Sequence, residues 1–149
     1  MVKRSAGLLV WRRAPDWIEV LLGHPGGPLF ASKDTWTIPK GEYDGTEDPL
    51  AAARREFAEE LGLPAPPGPV VCLGEVKQRG GKLVIVWAVE GDLDASRARS
   101  NLFSMQWPPR SGRWQEFPEL DRAQWFPLDA APVFPAQAPF LERLRELLT

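Results

Sequence analysis

The chain is expected to fold as one α/β domain, a mixed sheet in an α/β/α sandwich with two flanking helices. Three observations carry that expectation. Short apolar runs rich in β-branched and aromatic residues recur between Gly and Pro clusters, as strands do. Only two stretches, residues 49–61 and 135–148, show helical periodicity. The 149 residues suit one core, burying roughly 68–70% of the unfolded surface.

Ala6–Trp11 and Trp17–Gly23 read as two strands joined by Arg12-Arg13-Ala14-Pro15-Asp16, whose Pro-Asp pair favours a turn, so they are expected to form a hairpin. His24-Pro25-Gly26-Gly27-Pro28 breaks the pattern, and a short strand Trp36-Thr37-Ile38 is expected to end at Pro39-Lys40-Gly41. Asp48 precedes Pro49, the N-cap and first-turn residues of a helix, and Gly62 stands where helices stop, which predicts a helix over Pro49–Leu61. On it Leu50, Ala53, Phe57 and Leu61 share one stripe. Glu56, Glu59 and Glu60 gather within an arc of roughly 100° beside that stripe.

Leu63–Pro69 holds four prolines and forms a stiff connection. Val70–Val76 and Leu83–Val89 flank Arg79-Gly80-Gly81-Lys82, a double-glycine hairpin turn, and the second run lacks alternation, as a strand covered on both faces would. Asp92–Ser104 reads as loop, Met105–Trp107 as a short strand, Pro108–Leu120 as an aperiodic Pro/Gly/Arg/Trp segment, and Trp125-Phe126 as a last edge strand. Phe140, Leu141, Leu144, Leu147 and Leu148 at helical spacing make Pro135–Leu148 an amphipathic closing helix.

Composition excludes several function classes. With 18 Lys+Arg against 20 Asp+Glu, net charge −2 and pI about 5.5, the chain has no general attraction for nucleic acid or an anionic membrane, so an anionic ligand must be held locally. The apolar run Ala6–Trp11 is too short for a signal peptide or a membrane span. A lone cysteine, Cys72, forms no internal disulfide and is expected in the core; it fits a reducing, cytoplasmic setting. Oligomeric state has no signature in the sequence.

The acids are the chemical signal. Like charges three and four apart on a helix repel by a few tenths of a kcal/mol per pair, and here they border the core stripe behind a glycine-terminated strand. Such hard oxygen donors suit Mg²⁺, which bridges to substrate phosphates. Spacing sharpens this: Gly41, five residues, Glu47, seven residues, then Arg55-Glu56-Phe57-Ala58-Glu59-Glu60-Leu61-Gly62-Leu63. This run resembles the Nudix box of the Nudix hydrolases at every fixed position, with Phe57 standing where a branched aliphatic is more usual.

The resemblance implies a mixed sheet between helices, with the box as loop, helix and loop. It implies Mg²⁺- or Mn²⁺-dependent hydrolysis of a phosphoanhydride in a nucleoside diphosphate linked to another group, with water attacking phosphorus. Glu56, Glu59 and Glu60 would hold the ions, helped by the Gly41 carbonyl. Arg55 would pair with Glu47 to pin the loop. Glu59 is the first choice of general base, with Glu116 and Glu119 as alternatives.

Pro39-Lys40-Gly41 at the entry of the box resembles the dinucleoside polyphosphate hydrolase branch, and Lys40 would then contact a phosphate. The tyrosine that marks many of those enzymes shortly after the box is absent; the only tyrosine, Tyr43, lies inside it. Trp107-Pro108-Pro109-Arg110-Ser111-Gly112-Arg113-Trp114 joins aromatics and cations, suiting a loop in which Trp107 stacks a base while Arg110 and Arg113 hold phosphates. His24 is a further, weaker candidate for substrate contact. The alternatives are an oxidised nucleoside triphosphate clean-up pyrophosphatase and a non-catalytic nucleotide-sensing module; modules of that kind usually lose box glutamates, whereas all four are kept here.

Overall fold

The fold comes from a computed structural model that describes residues 2–149. Its strands are β1 (Arg4–Arg13), β2 (Ile18–Pro25), β3 (Lys40–Tyr43), β4 (Val70–Lys77), β5 (Leu83–Glu90), β6 (Leu102–Gln106), β7 (Trp114–Pro118) and β8 (Leu120–Pro127); its helices are α1 (Pro49–Leu61) and α2 (Ala138–Leu148). Six strands form one mixed sheet ordered β4-β5-β1-β2-β8, and β3 also pairs with β1.

β1 is the hub. It runs parallel to β5 from Arg4 to Trp11. Its other edge is divided, Arg4–Gly7 pairing antiparallel with β3 and Trp11–Arg13 with β2. Because successive side chains point to opposite faces, Ala6, Leu8 and Val10 pack towards Ala52, Ala53, Phe57 and Leu61 of α1. Leu9 joins the other layer with Phe140, Leu141 and Leu144 of α2. The two apolar layers make an α/β/α sandwich, as expected. Both faces of β5 are covered, Val84, Val86 and Ala88 on one side and Ile85, Trp87 and Val89 on the other.

The ends of α1 are built as its sequence requires. The Asp48 carboxylate accepts the Ala51 N–H at 3.0 Å, Pro49 opens the helix, and Gly62 closes it at φ 64°, donating its N–H to the Ala58 carbonyl at 2.8 Å. A side chain at Gly62 would also collide with the Arg99 carbonyl, 2.4 Å from where its Cβ would stand. Two free carbonyls of the last turn are taken by the chain entering β6: Arg99 N–H donates to Leu61 O at 2.8 Å and Asn101 N–H to Glu59 O at 3.0 Å.

Several elements depart from the sequence reading. Trp36 and Thr37 make only isolated bridges, and the strand is Lys40–Tyr43, immediately after Pro39, whose carbonyl accepts Leu8 N–H at 3.2 Å. The short strand expected at Met105–Trp107 is the longer β6, Leu102–Gln106, and the segments read as loop on either side of it join a separate antiparallel hairpin, β6 with β7, whose turn contains Pro108 and Pro109. Trp125-Phe126 belongs to an edge strand, but one of eight residues. A 3₁₀ turn, Pro135–Gln137, precedes α2, which therefore starts at Ala138. On α1 the buried stripe takes Ala52 in place of Leu50. Cys72 is exposed, not core: β4 is an edge strand whose register shifts between Cys72 and Glu75, where Gly74 adopts φ 89°.

Candidate active site

β3 and α1 meet at a glycine. A Cβ built on Gly41 would lie 2.0 Å from the carboxyl carbon of Glu56, so only glycine leaves that carboxylate where it stands. One residue earlier, the Lys40 N–H donates to Glu60 Oε1 at 3.3 Å. These contacts form one wall of a cleft of about 470 Å³, lined by Lys40, Gly41, Glu42, Glu56, Glu59 and Glu60 and completed by Lys82, Asn101 and Glu119.

Arg55 organises the acids from outside the cleft. It grips Glu47 with two bonds, Nε to Oε2 at 2.8 Å and Nη2 to Oε1 at 3.0 Å, and its Nη1 reaches Glu56 Oε1 at 2.8 Å and Glu59 at 3.4 Å. The bidentate pair ties the loop before α1 to the helix. These partners, Glu47 foremost, hold the guanidinium proton more firmly than usual.

Burial dominates the carboxyls. It pushes Glu60 up to about 8, with the charge of Glu56 adding to the shift and the Lys40 N–H opposing it. It also raises Glu56, against the pull of Arg55. The Lys40 ammonium is held below its ordinary range by burial first and then by the nearby charge of Lys82, which Glu60 partly offsets. A cleft this rich in hard oxygen donors, with five carboxyls against two lysines along its walls, fits a divalent cation. Glu56, Glu59, Glu60 and the Gly41 carbonyl are the groups that would hold it. With Glu56 turned to Arg55 and Glu60 to the Lys40 amide, no three Asp, Glu, His or Cys side chains converge on one point among the described residues.

A second hollow of about 250 Å³ continues the cleft, sharing Lys40, Glu60 and Glu119 with it and adding Phe30, Thr37 and Phe134. Phe30 and Phe134 meet edge to face, centroids 6.1 Å apart. The segment carrying Phe30 is fastened by His24, which is wholly buried and has Asp121 at 2.9 Å from Nδ1 and the Lys33 carbonyl at 2.6 Å from Nε2. A carbonyl only accepts, so Nε2 carries a proton, and the Asp121 contact needs a second on Nδ1 or the carboxyl. His24 is thus a structural clasp, not a substrate contact. Beneath the hollow, buried Gln137 accepts from Ile38 N–H at 2.8 Å and donates to Thr37 Oγ1 at 2.9 Å.

The structure therefore gathers Lys40, Gly41, Glu56, Glu59, Glu60 and Glu119 in one cleft, with the Arg55–Glu47 pair beside it. It does not bring the rest there. Glu116 is exposed on β7, and Trp107, Arg110 and Arg113 belong to the turn of the β6–β7 hairpin; none of these four lines either hollow. Sequence reasoning missed Lys82, Asn101, Phe30 and Phe134. Only Lys82 carried a signal, directly after the double glycine.

The NUDIX domain model matches residues 1–145. The chain is 31% identical over 140 residues to an 8-oxo-(d)GTP phosphatase of Mycolicibacterium smegmatis, 86% of this chain and 36% of that protein. It is 40% identical over 63 residues to an asymmetrical bis(5'-nucleosyl)-tetraphosphatase of Caenorhabditis elegans, 42% of this chain and 43% of that protein. The chain thus spans less than half the length of these curated relatives. Among solved structures, the NUDIX domain of Shewanella oneidensis NrtR, complexed with ADP ribose, matches with a TM-score of 0.70 at 17% identity, covering 100% of this chain and 90% of that one.

Proposed function

The chain belongs to the NUDIX family, and we propose that it is a Mg²⁺- or Mn²⁺-dependent pyrophosphohydrolase that cuts phosphoanhydride bonds of nucleotides, dinucleoside polyphosphates being the favoured class. The observation that carries this is the continuity of the acid cleft with the aromatic hollow through Lys40, Glu60 and Glu119. A nucleotide needs both surroundings at once, apolar rings for the base and cations with hard donors for the phosphates.

In this reading Glu56, Glu59, Glu60 and the Gly41 carbonyl hold the divalent ion, which when bound neutralises phosphate oxygens and acidifies a water. Glu59 is the base that takes the proton of the attacking water; Glu119, across the cleft, is the alternative. Glu59 is more exposed than Glu47, Glu56 and Glu60, so of these four acids it meets solvent water most readily. Arg55 and Glu47 keep the loop against α1, and Lys40 meets a phosphate. Phe30 and Phe134 flank the base. Among the described residues no helix is long and apolar enough to cross a membrane, and the free Cys72 accords with a reducing cytoplasm.

The second reading, clean-up of oxidised nucleoside triphosphates, is favoured by the relative matched over 86% of this chain, the 8-oxo-(d)GTP phosphatase. A panel of dinucleoside tetraphosphate, 8-oxo-dGTP and ADP-ribose, assayed for product release with Mg²⁺ and with EDTA, separates the readings. Highest kcat/KM on the tetraphosphate is expected. Preference for 8-oxo-dGTP moves the assignment to the second reading, and no metal-dependent turnover on any substrate would leave a nucleotide-sensing module.

A further inference from the structure

The aromatic hollow contains one polar side chain that carries no charge. Besides Lys40, Glu60 and Glu119, which it shares with the acid cleft, Thr37 alone among the described residues lines it with a polar side chain. Thr37 stands opposite Gly23 in an isolated antiparallel bridge, and directly opposed residues of such a bridge send their side chains to the same face. A Cβ built on Gly23 would run into Leu120, itself part of the wall. The half-buried Thr37 side chain therefore stands on the hollow side of the bridge.

Two buried neighbours decide how the Thr37 hydroxyl can bond. Gln137 has Oε1 2.8 Å from the Ile38 nitrogen and Nε2 2.9 Å from Thr37 Oγ1. Because the Ile38 N–H only donates, the amide oxygen must face it and the amide NH₂ must face Thr37; the reversed amide would set donor against donor. Thr37 Oγ1 thus accepts from Gln137 and keeps its own proton for another partner, the Ile38 carbonyl at 3.0 Å. Ile38 is wholly buried, and its carbonyl has no other hydrogen bond among the described residues. Turning the proton towards a ligand would orphan that carbonyl, a loss of about tenfold in affinity. What the hydroxyl has left for the hollow is a lone pair.

The segment that carries Gln137 is stitched to the same stretch of chain. Trp36 N–H donates to the Pro132 carbonyl at 2.8 Å, and Phe134 N–H donates to the Trp36 carbonyl at 3.1 Å. The ring of Phe134 and the amide of Gln137 are thereby held in one frame with Thr37, so the acceptor has a fixed place beside the aromatic surface.

We propose that Thr37 is a specificity-determining residue for the base, kept an acceptor by the Gln137 amide and the Ile38 carbonyl, so that the hollow selects a base presenting an exocyclic amine over one presenting a carbonyl in its place. The amine of adenine donates to such an oxygen, whereas a ring carbonyl sets lone pair against lone pair. This selection rests on the reading of the hollow as the seat of a nucleotide's base, and it acts whatever the length of the phosphate chain.

Three nucleoside monophosphates serve as probes: AMP with the amine, IMP with the carbonyl, and the monophosphate of purine riboside with neither. None contains a phosphoanhydride, so calorimetric titration in the presence of Mg²⁺ involves no turnover. In the wild-type protein AMP is expected to bind about tenfold more tightly than IMP, with the purine riboside compound between them. Thr37→Val, which keeps the shape and removes the acceptor, should bring the AMP-to-IMP ratio to within about twofold of unity, and Thr37→Ser should restore most of it. Equal affinity for AMP and IMP with weaker binding of the third would mean that the hydroxyl donates as readily as it accepts, and overturns the proposal, as does an unchanged ratio in Thr37→Val. The wild-type order needs no variant, so it judges the proposal even where a substitution unsettles the fold. No measurable binding of any probe removes the base seat and the proposal with it. Absence of turnover on the substrate panel with the AMP preference intact removes the hydrolase reading and leaves the role of Thr37 standing.

Discussion

Gly41→Ala is the smallest change that puts the geometry of the cleft at risk. The added methyl carbon would stand 2.0 Å from both Cδ and Oε2 of Glu56, where an ordinary contact begins at 3.4 Å, so the carboxylate must retreat by more than an ångström. Its retreat breaks or stretches the 2.8 Å bond from Arg55 Nη1 and shifts a donor of the cation site. A displacement of that size at a reacting centre costs on the order of a hundredfold in rate, and the overpacking costs about 1–3 kcal/mol of stability. For a chain of this length that is a fall in Tm of a few to about ten degrees. The assay is steady-state turnover on the best substrate of the panel, beside thermal unfolding. A paired variant isolates the cause: Glu56→Ala added to Gly41→Ala should return most of the lost Tm without returning activity. Turnover within about threefold of wild type, or no recovery of Tm in the double variant, refutes the claim that glycine is needed here to admit the Glu56 carboxylate.

Further outcomes follow from the same contacts. Glu59→Gln and Glu60→Gln should each lower turnover about a hundredfold or more while the protein still folds; near-wild-type rates in both would remove the acids from the mechanism. Arg55→Ala and Glu47→Ala should each impair activity, and the double variant should lose less than the sum, with a coupling of about 0.5–3 kcal/mol; strict additivity of kcat/KM would mean that the pair does not act as a unit. Glu60 titrates near 8 in the fold against an ordinary value of 4.5, so between those values the folded state binds more protons than the unfolded one. Its contribution to stability is therefore undiminished below about 4.5 and declines as pH rises towards about 8. Metal-free protein should lose Tm across that window, Glu60→Gln should flatten the decline, and added Mg²⁺ should raise Tm most at the alkaline end. An unchanged slope in Glu60→Gln would assign the pH dependence elsewhere.

What the sequence made legible was whatever depends on neighbours along the chain. Asp48, Pro49 and Gly62 are local signals, and α1 begins and ends on them. The acids of α1 and the Arg55–Glu47 partnership share one helix and the loop before it, so spacing alone brings them near. Lys82, Asn101, Phe30 and Phe134 reach the site through pairings between distant segments, such as β1 with β5, which no spacing rule encodes. The β6–β7 hairpin was hidden for another reason. It has two strands and its own small sheet, its outward residues are Leu102, Ser104, Glu116 and Trp114, and such mixed polarity erases the alternation that marks a strand with one face in a core. Cys72 misled because β-rich surroundings suggest burial, while a bulge on an edge strand turns it outward.

The bonds from Arg99 and Asn101 to the last turn of α1 also bear on how such a chain diversifies. They tie the root of the hairpin to the helix that carries Glu59 and Glu60, whereas the turn at residues 107–113 hangs free of both hollows. Tip and root are therefore separable under selection. Insertions, deletions or wholesale replacement of the turn leave the acids undisturbed, so the arm is a cassette in which new recognition surfaces can be tried at little cost to chemistry. Exchange of residues 99–101 has no such licence, because the incoming backbone must offer two N–H groups at the same height above the helix end. A graft between relatives would succeed with its cut points beyond that anchor and fail with them inside it.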